Sequence, residues 1–172
     1  KDGRDLGIAF RGIPNGHEFT SLLLALLNAD GQGRNLPDET LARRIKAIGA
    51  DIKLKTYVSL TCTNCPDVVQ ALNVMALLNP RISNEMVDGG VNQEETERLG
   101  IQAVPSVYAN GELLHIGRGN LGVLLEKLEE RFGTQAAAAA EPTERTYDLV
   151  VLGGGPAGAA AAIYTARKGL RV

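Results

Sequence analysis

An α/β fold built on a mixed sheet is predicted by three features of the sequence. Strand and helix signals alternate between residues 38 and 132, two cysteines sit where a strand passes into a helix, and a Val104-Pro105 pair opens a later strand. Composition sets the outer limits. The 172 residues are 44% hydrophobic and 22% charged, ordinary globular proportions. A formal charge of −2 leaves no basic excess for a nucleic-acid backbone, and no polybasic cluster marks a lipid surface. The apolar run Leu22–Leu27 is far too short to cross a bilayer. Lys1-Asp2-Gly3-Arg4 is followed by no signal-peptide core. The expectation is a cytoplasmic protein with neither nucleic acid nor membrane as partner. Both ends read as cuts through strand-like sequence, so a fragment of a longer protein is expected.

The elements follow in order. Ile8-Ala9-Phe10 is a short strand ending at Gly12, and Pro14-Asn15-Gly16 is a turn. His17 to Asn28 has helical spacing, with an almost wholly apolar surface that predicts packing on more than one side. After a Gly- and Asn-rich loop, Asp38 caps a second helix with Leu41, Ile45 and Ile48 as its stripe and Gly49 as its stop. Asp51 to Leu60 alternates as a strand and runs into Cys62. Asp67 to Leu78 is a helix, Ile82 to Val87 a strand, Gln93 to Leu99 a short charged helix and Val104 to Ala109 a strand. Asn110-Gly111 is a hairpin turn leading to the strand Glu112 to Ile116, and Leu121 to Phe132 is an amphipathic helix.

A βαβ unit, a β-hairpin and a last helix, with CxxC at the first strand-to-helix junction, make up the thioredoxin core. The predicted class is therefore a thioredoxin-like α/β fold over residues 35–133. A faint internal likeness suggests more. Phe10-Arg11-Gly12 leading into the Leu22 region parallels Ile116-Gly117-Arg118-Gly119 leading into Leu121 to Leu128. Residues 1–34 then read as the tail of an earlier, CxxC-less repeat, although any strand-turn-helix unit resembles another. Residues 134–146, with five consecutive alanines, form a linker. Residues 147–172 change character: an apolar strand from Tyr147 to Leu152, a glycine loop, a small-residue helix from Ala159 to Lys168, and another strand beginning at Leu170.

The chemistry sits in Cys62-Thr63-Asn64-Cys65. Two cysteines alone cannot complete a tetrahedral zinc site, and His17 and His115 lack finger spacing. A purely structural disulfide is rare in the cytosol. Redox chemistry is the leading reading, with a metal site or inert thiols as the alternatives. A helix N-terminus directs N–H groups and its dipole at the first sulfur and favours thiolate. Cys62 is thus expected to attack, and Cys65, one turn inside, to resolve the mixed disulfide. Pro66 suits the first turn. Pro105 is expected to be cis and to face the cysteines, against a plain trans proline at an edge strand. Glu18, in a first helical turn, is either simple dipole complementation or a functional acid. Gly153, Gly155 and Gly158, flanking Pro156 and Ala157, form GxGxxG between a strand and a helix, the context of a dinucleotide-binding turn. One strand and one helix cannot hold a cofactor alone, so none is expected on this fragment.

Four segments carry a family resemblance: residues 12–21 (GIPNGHEFTS), 59–73 (SLTCTNCPDVVQALN), 88–90 (DGG) and 153–164 (GGGPAGAAAAIY). Together they resemble the flavoprotein subunit of bacterial alkyl hydroperoxide reductase. The resemblance implies two fused thioredoxin-like folds, only the second with CxxC, joined to a thioredoxin-reductase-like portion using FAD and NADH. It implies electron flow from NADH through FAD to the Cys62–Cys65 pair and on to a two-cysteine peroxiredoxin, in a protein that is a homodimer at full length. It also implies that Glu18 assists proton transfer at a sulfur, and that Gly153, Gly155, Pro156, Ala157 and Gly158 belong to an FAD site. Thr63 stands where many relatives have His. The competing readings are a free-standing glutaredoxin-like disulfide oxidoreductase and a docking module with structural cysteines.

Overall fold

The computed structural model describes residues 3, 5–29, 33–135, 146–153 and 155–172. These fall into two compact units, Lys1–Ala138 and Ala139–Val172. The expected linker lies almost wholly outside the described residues.

The first unit is a five-stranded mixed sheet. Its strands are β1 (Ile8–Arg11), β2 (Ile52–Val58), β3 (Ile82–Asp88), β4 (Ser106–Ala109) and β5 (Glu112–Ile116), in the order β1-β3-β2-β4-β5. β1 and β2 flank β3 in parallel, and β4 and β5 complete the sheet antiparallel. The helices are α1 (Phe19–Asn28), α2 (Glu39–Ala47), α3 (Cys65–Leu78), α4 (Gln93–Arg98) and α5 (Leu121–Phe132), with a 3-10 turn at Gly16–Glu18.

Strand alternation sorts the sheet into two faces. Ile52, Leu54, Ile82, Val107 and Ala109 point one way and pack with Ile45 and Ile48 from the end of α2, Val68, Leu72 and Met75 of α3, and Leu124, Leu125 and Leu128 of α5. Lys53, Lys55, Tyr57, Glu85 and Tyr108 point the other way, toward α4. There Glu95 accepts from Lys55 Nζ at 2.8 Å and Tyr57 Oη at 2.6 Å, and Arg11 bridges Glu85 and Glu95. Tyr57 and Tyr108 meet edge to face, their centroids 5.5 Å apart.

Local signals decide the element ends. The Asp38 carboxylate accepts from Leu41 N at 2.9 Å and starts α2. Asn110 and Gly111 both have positive φ, 50° and 88°, as a tight hairpin turn requires. α2 ends at Ala47 with Ile48 extended, and Gly49 is not in the left-handed region.

Two expectations are corrected. α1 is not packed on several sides: Phe19, Leu23, Leu26 and Leu27 are 51%, 43%, 66% and 58% exposed, while Ser21 and Asn28 are its buried residues. Among the described residues α3 is the helix that covers it, so Ser21 and Asn28 face inward, Leu22 and Leu24 are half-buried, and Leu23, Leu26 and Leu27 face out. In the second unit α6 (Pro156–Arg167) forms, three residues earlier than the small-residue pattern suggests, but neither Tyr147–Leu152 nor Leu170–Val172 is a strand. Asp148 N and Leu149 N both bond the Arg171 carbonyl, at 2.9 and 3.2 Å, and no ladder extends from there. An apolar strand of a parallel sheet needs partners along its edges, and one short segment does not supply them.

Candidate functional site

β2 ends at Val58, and a turn closed by Cys62 N on Ser59 O (2.9 Å) delivers Cys62 to the start of α3. α3 opens at Asn64 with no side-chain cap and Pro66 in its first turn, so no side chain competes for the N–H groups facing the sulfurs. Cys62 and Cys65 form a disulfide with Cα atoms 5.5 Å apart. Cys62 is partly exposed, whereas Cys65 is fully buried. Cys65 belongs to a small apolar cluster with Val58, Val69 and Met86, flanked by Phe10, Cys62 and Val104, separate from the main core.

The Val104–Pro105 peptide is cis. Cys62 Sγ lies 3.9 Å from the Val104 carbonyl oxygen. A disulfide sulfur has no proton to donate, so this is a contact that becomes a weak hydrogen bond once the pair is reduced. Pro105 also accepts from Gly117 N at 2.8 Å, which ties β4 to the end of β5.

Glu18 closes the 3-10 turn and is fully buried. The turn is stapled to the cysteine loop, for His17 N donates to Leu60 O at 3.2 Å. Gly16 has φ +55°, and a Cβ there would lie 2.6 Å from that same carbonyl oxygen. Glycine is therefore the residue that allows this approach. Glu18 Oε2 accepts from the Ser21 hydroxyl at 2.6 Å, and among the described residues Oε1 has no partner. Burial pushes the carboxyl above its ordinary range, and the Ser21 hydrogen bond offsets part of that rise. The structure thus gathers Cys62, Cys65, Pro105 and the Glu18 turn around the N-terminal end of α3. Sequence reasoning missed Ser21 and Gln70, whose Nε2 donates to Ser21 Oγ at 3.3 Å. The one available signal was a hydroxyl three residues after Glu18, on the same helical side.

Gly153, Gly155, Pro156, Ala157 and Gly158 lie in the second unit. Gly155 is the N-cap of α6, and Gly153 has φ +109°. A Cβ on Gly158 would overlap the Gly153 carbonyl oxygen, so the loop lies hard against the helix start.

A cis-proline facing a CxxC disulfide at a helix start, on this sheet order, defines a thioredoxin-fold thiol–disulfide oxidoreductase domain. A thioredoxin domain model matches residues 51–129. Over 99% of its length the chain is 51% identical to the AhpF protein of alkyl hydroperoxide reductase in Pseudomonas aeruginosa, and over 98% it is 50% identical to a Bacillus subtilis protein named NADH dehydrogenase. The NTD_N/C domain of alkylhydroperoxide reductase AhpF from Enterococcus faecalis superposes with a TM-score of 0.69 at 38% identity, covering 74% of this chain and 60% of that one. Along nearly its whole length the chain is thus similar to part of the AhpF proteins of alkyl hydroperoxide reductase. It spans about a third of the length of the curated relatives it matches, 32%.

Proposed function

We propose that this chain is the dithiol relay of an NADH- and FAD-dependent reductase that regenerates a two-cysteine peroxiredoxin, and so supports reduction of alkyl hydroperoxides. The observation that carries the reading is the asymmetry of the pair: a partly exposed Cys62 at an uncapped helix start, bonded to a fully buried Cys65. In the reduced state Cys62 thiolate attacks the peroxiredoxin disulfide, forming a mixed disulfide and releasing one partner thiolate. Cys65 thiolate then attacks Cys62 Sγ, the mixed disulfide breaks, and the second partner thiolate leaves. Two electrons pass to the partner, and Cys62–Cys65 is re-formed. Val104 and Pro105 line the approach to Cys62, with the Val104 carbonyl beside the sulfur. Glu18, with its carboxyl pushed above the ordinary range by burial, exchanges the proton of Cys65.

The relatives' names support a peroxide-linked role and NADH as electron source. The Gly153–Gly158 turn and the N-terminus of α6 fit the pyrophosphate of FAD, because the loop's glycines leave backbone and helix end free of side chains. Bound flavin would supply two-electron transfer from NADH to thiols. Residues 1–34 are read as the tail of a first thioredoxin-like repeat. The rest of that repeat would cover the exposed Phe19, Leu23, Leu26 and Leu27. The boundaries 35–133, 134–146 and 147–172 follow, with a homodimeric, cytoplasmic parent protein. Among the described residues no helix is long and apolar enough to cross a membrane.

The test couples thioredoxin reductase and NADPH to the chain, a bacterial two-cysteine peroxiredoxin and peroxide, comparing wild type with Cys62→Ser. NADPH oxidation that requires both the chain and Cys62 supports the relay. A chain that is reduced but passes no electrons to the peroxiredoxin sinks the assigned partner and leaves a general disulfide oxidoreductase.

A further inference from the structure

Glu18 is sealed from solvent, yet a group that exchanges protons with a thiol must exchange them with water in turn. Its Oε2 is held by the hydroxyl of Ser21, itself fully buried, and Ser21 Oγ accepts from Gln70 Nε2 of α3. Ser21 and Gln70 line a cleft of about 520 Å³ between α1, α3 and the start of α5. Two further side chains on its wall are more than nine-tenths buried with a polar atom that has no partner among the described residues, Asn28 Oδ1 and Asn73 Nδ2. Groups left in this state are the kind that ordered water satisfies. The cleft is lined mainly by apolar surface, with Ser21, Asn28, Gln70 and Asn73 as polar groups within it, and the Ser21 hydroxyl joins it to Glu18.

We propose that Ser21 is the proton relay of the redox site, carrying protons between the buried Glu18 carboxyl and water in this cleft. The inference rests on the reading of Glu18 as the acid that serves Cys65. During reduction an incoming dithiol attacks Cys62 Sγ, the Cys62–Cys65 bond breaks, and Cys65 leaves as thiolate. Glu18 gives Cys65 its proton and becomes a carboxylate. The Ser21 O–H proton passes to Glu18 Oε2 as Ser21 Oγ takes one from a protonated water in the cleft. The donor closes to its own disulfide, so electrons and protons balance. Gln70 donates to Ser21 Oγ and thereby leaves the Ser21 hydrogen directed at Glu18. Ser21 is a positioning and relay residue; it touches no sulfur in this scheme.

Few other titratable groups face the carboxyl. Its own turn contributes His17, which is exposed; α3 contributes Cys65 and the exposed Asp67; and the Leu60–Cys62 loop brings no charged side chain. The environment is set by burial and the Ser21 hydroxyl, so removal of that hydroxyl has a defined sign. Ser21 donates to the charged form of Glu18, and its loss moves the Glu18-dependent inflection to higher pH.

The experiment follows the rate of Cys62–Cys65 reduction by dithiothreitol from pH 5 to 9, in H₂O and D₂O, by rapid alkylation and mass measurement. Wild type, Ser21→Ala, Ser21→Thr and Glu18→Gln are compared. Ser21→Ala is expected to shift the inflection upward, slow the reaction roughly tenfold and enlarge the solvent isotope effect, and Ser21→Thr, which keeps the hydroxyl, is expected to restore all three. If Glu18→Gln abolishes the inflection while Ser21→Ala keeps the wild-type profile and isotope effect, the relay is overturned and the Glu18 reading survives. If Glu18→Gln changes nothing, the Glu18 reading fails and takes this inference with it.

Discussion

Replacing Glu95 by Gln removes a single charge from the side of the sheet that carries no redox chemistry. Hydrogen bonds from Lys55 and Tyr57, and then the charges of Lys55 and Arg11, hold the Glu95 carboxyl down to about 2 against a modest opposing effect of burial. A shift from 4.5 to about 2 corresponds at face value to roughly 3 kcal/mol of stabilisation. The Glu95 side chain is only 17% exposed, but Arg11 and Lys55 are 36% and 40% exposed, so solvent screens the pair. About 1–2 kcal/mol is the better expectation. The sign follows from the depressed value: the contribution is complete above the unfolded carboxylate's pKa and fades as pH falls from about 4.5 toward 2. Urea unfolding of both proteins at pH 7, 4 and 2.5 is the assay. The Gln variant is expected to be less stable by about 1–2 kcal/mol at pH 7, with the gap closing by pH 2.5. A gap that persists unchanged at pH 2.5, or none at pH 7, refutes the reasoning, because Gln keeps an acceptor for Tyr57 and differs mainly in charge.

Two further substitutions probe the turn beside the cysteines. Glu18 has a raised carboxyl, so the folded state binds more protons than the unfolded one and stability declines as pH rises past the unfolded value. Glu18→Gln, neutral throughout, is therefore expected to be more stable than wild type at pH 8 and about equal to it at pH 4, read by the same urea titrations. Gly16→Ala puts a Cβ 2.6 Å from the Leu60 carbonyl oxygen at φ +55°, and a loss of about 2–3 kcal/mol is expected, with increased exchange of the His17 amide in hydrogen-exchange measurements.

What was legible in the sequence is what local chemistry dictates. The period-two run of β2, the Asp38 cap and the Asn110-Gly111 turn each act within a few residues, and each element forms where those signals place it. The cysteine pair and the Val104-Pro105 bond could be placed because element order alone brings them to one end of the sheet. What was not legible depends on distant partners. A run of leucines in α1 reads the same whether a neighbour covers it or not, so its exposed face had no local sign. The Gln70–Ser21 bond joins residues 49 apart, and the Arg11–Glu85–Glu95–Lys55 network spans four elements. Tyr147–Leu152 has the composition of a strand, but ladder hydrogen bonds come from neighbours and not from composition.

The separation of the two apolar clusters explains how a disulfide can open and close without disturbing the fold around it. The main core joins α2, α3 and α5 to the sheet and contains neither cysteine. Cys65 sits instead in the smaller cluster at the end of β2 and β3, with Cys62, Phe10 and Val104 packed against it. Reduction creates two thiols in different surroundings. Cys62, partly exposed at the uncapped start of α3, is favoured as thiolate by the helix dipole, whereas the apolar walls around Cys65 disfavour a charge there. A thiolate on Cys65 is then a short-lived species that needs a proton or a disulfide bond. In the proposed role of Glu18, that proton comes from a buried carboxyl whose turn is stapled to the cysteine loop. The order proposed for the pair, exposed sulfur first and buried sulfur second, accords with where β2 ends and α3 begins.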